Sequence, residues 1–247
     1  ILSIIEIMIE DYFKPLALQT DLGLGATADS FYYAAQALDD NQDTKYGFGI
    51  GGGKLPILYL YRHSIELYLK SAITLIYKIS FKKSKTGNDD FPKLVENGKE
   101  KKIFNVHSIK TLFENFLIIL ENNRDSIDSR TGYNWFDIPE EIPILINKLE
   151  EYDSNSTMFR YPISMDKNLD YQKSTFKKCN LVKGKTPKES KSESKSKIFL
   201  LVHNGNDEII ESYVSDNEVL SEIHEVLKEL SEQLSGLHFG LKFDLIR

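Results

Sequence analysis

A single cysteine in 247 residues, Cys179, leaves no intrachain disulfide to close. Such usage fits a reducing cytoplasm, which is the expected location. Positive charge is not in surplus either. The formal net charge is -6, so no global field pulls the chain toward nucleic acid, and any RNA contact has to come from a local basic patch. Also missing is a run of roughly 20 uninterrupted apolar residues, the length a membrane span requires, so no membrane partner is expected. The stretch Ile1–Phe13 is broken by Glu6, Glu10 and Asp11 and has neither a basic start nor a small-residue cleavage site. It reads as an amphipathic helix and not as a signal peptide, and the opening Ile in place of Met leaves room for sequence upstream.

The common catalytic signatures are absent too. Gly47, Gly49, Gly51, Gly52 and Gly53 lead to Lys54, which invites comparison with a phosphate-binding loop. Phe48, however, stands where the first glycine belongs, Leu55 replaces Ser or Thr, and no strand precedes them. The segment Asp40–Lys54 reads as a flexible connection. No Gly-x-Ser-x-Gly elbow supports a hydrolase triad. The five histidines are scattered and Cys179 has no partner at ligand spacing, so neither a metal nor a cofactor is expected. His224, on a helix among acidic residues, reads as solvated, and His203 as a turn residue. No internal repeat is present.

What the chain does have is helical periodicity, with 41% hydrophobic residues and 11% aromatics to build a core. Phe31, Tyr32, Ala35 and Leu38 predict a helix over Ala26–Asp39, and a long helix follows from Leu55 to Ile79 with Pro56 in its first turn. Phe81–Lys102 reads as a lysine-rich connection. Asn105 is then placed to cap a helix with an apolar face at Ile109, Leu112, Phe113, Phe116, Leu117 and Leu120. Asp137 and Glu140 have capping-box spacing for the next helix, carried by Ile142, Leu145, Ile146, Leu149 and Tyr152. Lys183–Lys197 holds nothing a core could bury and reads as disordered. Ile198–Val202 and Ile209–Val214 flank Asn204-Gly205, a hairpin signal. The last helix opens at Ser215 or Asp216 and carries Leu220, Ile223, Leu227, Leu230, Leu234 and Leu237 as a core-facing or dimer-facing seam.

The expected architecture is therefore mainly α: one helical domain over 1–247, with an insertion over 169–214 that holds the disordered loop and a β-hairpin near the C-terminal third. The long helix would lie in the middle of the bundle, because apolar residues cover most of its cylinder. Its polar stripe runs through His63, Glu66, Lys70 and Thr74, with Arg62 beside it. Glu66 stands four residues from Arg62 and three from His63, so its carboxylate can hold either side chain. A histidine fixed in this way suits acid/base chemistry. The competing interpretation is a solvated face carrying helix-stabilising ion pairs. His107 and Arg160 complete the candidate cluster.

Three segments carry a resemblance: Tyr61-Arg62-His63-Ser64-Ile65-Glu66-Leu67-Tyr68-Leu69-Lys70, then Val106-His107-Ser108-Ile109, then Asp153-Ser154-Asn155-Ser156 leading to Phe159-Arg160-Tyr161-Pro162. Their order from about Asp29 to Pro162 resembles bacterial proteins of the HEPN superfamily. The resemblance implies a helical bundle that forms a homodimer, an RNase-like role in antiviral defence or toxin–antitoxin systems, RNA as ligand and a partner protein from the same system. HEPN nucleases pair an arginine with a downstream histidine, four to six residues intervening, and no arginine here has a histidine at that distance. Catalysis would instead need a rearranged site drawn from Arg62, His63, Glu66, His107 and Arg160, with arginine binding phosphate and histidine transferring the proton. The alternatives are a catalytically inactive dimerisation or partner-binding module and a ligand sensor. Lys82, Lys83, Lys85, Lys99, Lys101 and Lys102 supply a local basic region for RNA phosphates or for solubility.

Overall fold

A computed structural model describes residues 10–41, 54–80, 91–164, 166–180, 198–216 and 219–246. Its helices are α1 (Leu24–Asp40), α2 (Leu55–Ser80), α3 (Ile109–Asn122), α4 (Arg124–Asp128), α5 (Glu141–Asp153), α6 (Lys167–Gln172) and α7 (Ser221–Leu245). Its strands are β1 (Lys93–Glu96), β2 (Lys99–Lys102), β3 (Phe176–Lys178), β4 (Phe199–His203) and β5 (Ile209–Ser215). The expected glycine-rich connection, the lysine–serine loop, most of the amino-terminal helix and Lys82, Lys83 and Lys85 lie outside the described residues. Among the described residues no helix is long and apolar enough to cross a membrane.

The bundle is organised around α2, which buries 18 of its 26 residues. A helix apolar on nearly every side has to be surrounded, and α1, α7 and α3 pack along it, with α5 against α7. Ser64 and Ser231 let α2 and α7 approach closely, their hydroxyls 2.9 Å apart. The seam on α7 faces this core: Ile223, Leu227, Leu230 and Leu234 are buried there.

Several boundaries move. Ser108, not Asn105, caps α3, its hydroxyl accepting from the Thr111 amide at 3.1 Å, because Asn105 ends a short 3-10 turn. The Asp137–Glu140 capping box does not form: α5 starts at Glu141 without a side-chain cap. β5 continues through Ser215, so α7 begins at Ser221, after Leu220 adopts a left-handed φ of 58°. His224 is buried and not solvated, with Nε2 3.0 Å from Asp39.

The larger difference is in the sheets. The connection before α3 contains a β1–β2 hairpin that turns at Asn97-Gly98, with φ of 52° and 73°. Two positive φ values at Asn-Gly match a type I′ turn. Asn115 on α3 clamps this hairpin by hydrogen bonding to both backbone groups of Val95. In the later insertion the expected β4–β5 hairpin gains β3, giving a three-stranded antiparallel sheet in the order β3-β5-β4. The turn there spans Asn204 to Glu208, and its positive φ falls at Asp207.

At one end of the bundle, the Asp21 carboxylate accepts from the Gly25 amide at 2.9 Å and from Ser71 Oγ at 2.6 Å. Lys242 Nζ, with a side chain wholly buried, lies 3.3 Å from Asp11 and 3.4 Å from Asp21. Burial pushes the Asp21 carboxyl up, but the His238 ring 3.4 Å away, the charge of Lys242 and the Ser71 hydroxyl outweigh it and hold the group well below the usual carboxylate range. Gly25 allows this packing, since a Cβ there would collide with the His238 ring and sit 2.6 Å from Asp21 Oδ2. Gly25→Ala is expected to destabilise the protein by about 1–3 kcal/mol, seen as a lower urea midpoint at unchanged slope; an unchanged midpoint would contradict this packing.

Candidate functional site

Arg62, Glu66 and Lys70 recur every four residues on α2 and share one face of that helix. Three other elements close over this line: the entry to α3 brings His107, the end of α5 brings Asp153, and the turn after α5 brings Arg160. Glu66, only 2% exposed, is their common point. Its Oε1 accepts from Lys70 Nζ at 2.8 Å and lies 2.9 Å from His107 Nδ1. Its Oε2 accepts from Arg62 Nη1 and has Arg160 Nη2 at 3.5 Å.

Every nitrogen of the Arg62 guanidinium is committed inward. Nε donates to Asp153 Oδ2 at 2.8 Å, Nη1 to Glu66 and Nη2 to the His107 carbonyl at 2.5 Å. The Ser156 hydroxyl donates to the same carbonyl at 2.9 Å, and Asp153 Oδ1 accepts from the Met158 amide at 2.8 Å. One buried arginine thus ties α2, the entry to α3 and the Arg160 turn together. Burial raises the Glu66 carboxyl, but the charges of Arg62 and Lys70 and the hydrogen bonds from Lys70 and His107 more than offset this and leave its pKa at about 2. The ionised carboxylate can only accept, so His107 Nδ1 carries the proton in this contact and Nε2 is its free nitrogen.

Four of the five predicted residues separate into two kinds. Arg62 and Glu66 are buried and saturated, the opposite of a solvated face of ion pairs, and they position the others. His107 and Arg160 reach outward, with side chains 44% and 28% exposed. His63 does not join the cluster by any hydrogen bond: its ring meets Phe31 edge-on at 4.5 Å and stacks on Tyr59 at 5.6 Å, and its Nδ1 is buried without a partner. Burial lowers the His63 pKa, partly offset by Glu66. Of the two residues Glu66 was expected to hold, it takes Arg62 alone by hydrogen bond. Lys70 belonged to the predicted stripe, but Asp153 and Ser156 were missed as site residues although both stand in the motif that carries the HEPN resemblance. With His107 neutral, Arg62, Lys70 and Arg160 against Glu66 and Asp153 leave one positive charge.

Beside Arg160 lies an open pocket of about 500 Å³ between the first turn of α2 and residues 159–162. Among the described residues no group of three or more His, Cys, Asp or Glu side chains could hold a metal ion. Comparison with protein-family models, with curated proteins and with solved structures gives no match.

The carboxylate at the centre makes stability depend on pH. Because Glu66 titrates at about 2 when folded and near 4.5 otherwise, its contribution is present above pH 4.5 and lost as pH falls through 2. Glu66→Gln, which leaves Arg62 and Lys70 buried beside a neutral amide, is expected to cost about 3–5 kcal/mol at pH 7. Denaturant unfolding should show the gap between parent and variant closing from pH 4.5 downward; a gap independent of pH would show that the Glu66 charge is not what holds the cluster.

Proposed function

We propose that this is a HEPN-like protein of a bacterial defence or toxin–antitoxin system that cleaves RNA without a metal ion, through His107 and Arg160. The observation that carries the proposal is the His107 Nδ1 contact with buried Glu66, which orients an exposed imidazole beside a partly exposed guanidinium. In this reaction His107 Nε2 takes the proton of a ribose 2′-hydroxyl. The 2′-oxygen bonds to the adjoining phosphorus, the bond from phosphorus to the 5′-oxygen breaks, and the leaving oxygen takes a proton from water. Arg160 offsets the charge that builds on the phosphoryl oxygens. The products are a 2′,3′-cyclic phosphate and a 5′-hydroxyl.

His63 favours a second reading. Half-buried against Phe31 and Tyr59, with a pKa lowered chiefly by burial, it is poorly suited to protonate the leaving group. A site with one exposed imidazole suits a catalytically inactive module that binds RNA or a partner protein through the same residues.

Cleavage of a labelled tRNA pool in EDTA separates the two. The first reading predicts cleavage with 2′,3′-cyclic phosphate ends, reduced about 100-fold or more by His107→Ala, strongly reduced by Arg160→Ala, and retained by His63→Ala, with each variant folded by circular dichroism. Binding by the parent without cleavage supports the inactive module, and cleavage undiminished in His107→Ala contradicts the proposed chemistry.

A further inference from the structure

The pocket beside Arg160 has a lining unlike that of the charged cluster it adjoins. Pro56 and Tyr59 come from the first turns of α2, and Phe159, Tyr161 and Pro162 from the turn after α5; among the described lining residues Arg160 is the one that is charged. Arg160 therefore serves two places, with Nη2 near Glu66 and the side chain also forming part of the pocket wall. Tyr59 and Glu66 stand seven residues apart on one helix, about 10 Å along its axis, and Arg160 borders the pocket at one and approaches the carboxylate of the other.

The walls are held in place before any ligand arrives. Tyr59 packs its ring against His63 with the planes 7° apart. Met158 and Phe159 are buried and anchor the turn, Asp153 accepts from the Met158 amide, and nearly buried Lys173 donates to the Tyr161 carbonyl at 2.9 Å and to Asp170 at 3.0 Å. Asp170 in turn accepts from the amide and hydroxyl of Ser164, both at 2.7 Å. A backbone tied down on both sides nevertheless leaves Tyr161 56% exposed.

We propose that this pocket is a nucleobase subsite, in which an unpaired base lies against Tyr59, Tyr161 and the prolines while Arg160 holds the phosphate of the same strand. Aromatic rings and prolines offer flat apolar faces, which suit the π-face of any base, and a single guanidinium offers the bidentate donors a phosphate takes. The volume is in the range of small-molecule sites. A base paired within a duplex keeps its face stacked on its neighbours and cannot enter, so the subsite selects single-stranded substrate. The inference rests on the reading that Arg160 meets an RNA phosphate.

The test uses a short fluorescein-labelled 2′-O-methyl oligoribonucleotide, which cannot be cleaved, and a probe with the same phosphates but abasic positions. Anisotropy titration of the parent should show the base-bearing strand binding about 5- to 100-fold tighter. Tyr161→Leu and Tyr59→Leu should bring that ratio toward one without changing the affinity for the abasic probe, and Arg160→Gln should weaken both probes. Equal affinities in the parent, with both still weakened by Arg160→Gln, would overturn the subsite and leave the phosphate site standing. No binding of either probe, or no effect of Arg160→Gln, would overturn the reading on which the subsite rests.

Discussion

The Glu66 carboxylate is buried in the middle of the longest helix, where an uncompensated charge would cost several kcal/mol. Arg62, Lys70, His107 and Arg160 converge on it from α2, the entry to α3 and the turn after α5. The carboxylate thus joins the bundle core to its surface. Arg62 and Lys70 satisfy it from below and are consumed in doing so, while His107 and Arg160 touch it with one end and keep the other toward solvent. A common buried anchor fixes an imidazole and a guanidinium in position without a loop that must close.

A second buried ionic cluster, with Asp11, Asp21, His238 and Lys242, stands elsewhere in the bundle. Its side chains are wholly or almost wholly buried, so it offers solvent no free group. It joins the segment before α1 to α7, whereas the Glu66 cluster keeps His107 and Arg160 partly exposed. The contrast lies in exposure and not in composition, since both consist of carboxylates facing lysine, arginine or histidine.

Much of this was legible in the sequence. The helical spacing marked α2 as central and placed Arg62, Glu66 and Lys70 on one line, because a period of 3.6 residues is a property of the chain itself. His107 and Arg160 were named with the cluster, but nothing local brings residues 62, 107 and 160 together, so their meeting at Glu66 comes from the fold. Asp153 was not identified because a lone aspartate at a helix end is common; its role comes from tertiary contact with Arg62. The β1–β2 hairpin had its signal in Asn97-Gly98, obscured by the lysines that surround it. His224 shows the reverse error, since neighbouring acids suggested solvent while the bundle buries it beside Asp39.

The central claim is that ionised Glu66 sets the orientation of His107 and leaves Nε2 free. Long-range 15N–1H NMR of the imidazole at a pH where it is neutral tests this directly, in the parent and in Glu66→Gln. The account predicts His107 protonated on Nδ1 in the parent and a mixture of tautomers in the variant. A parent His107 protonated on Nε2, or a tautomer indifferent to Glu66→Gln, would contradict it.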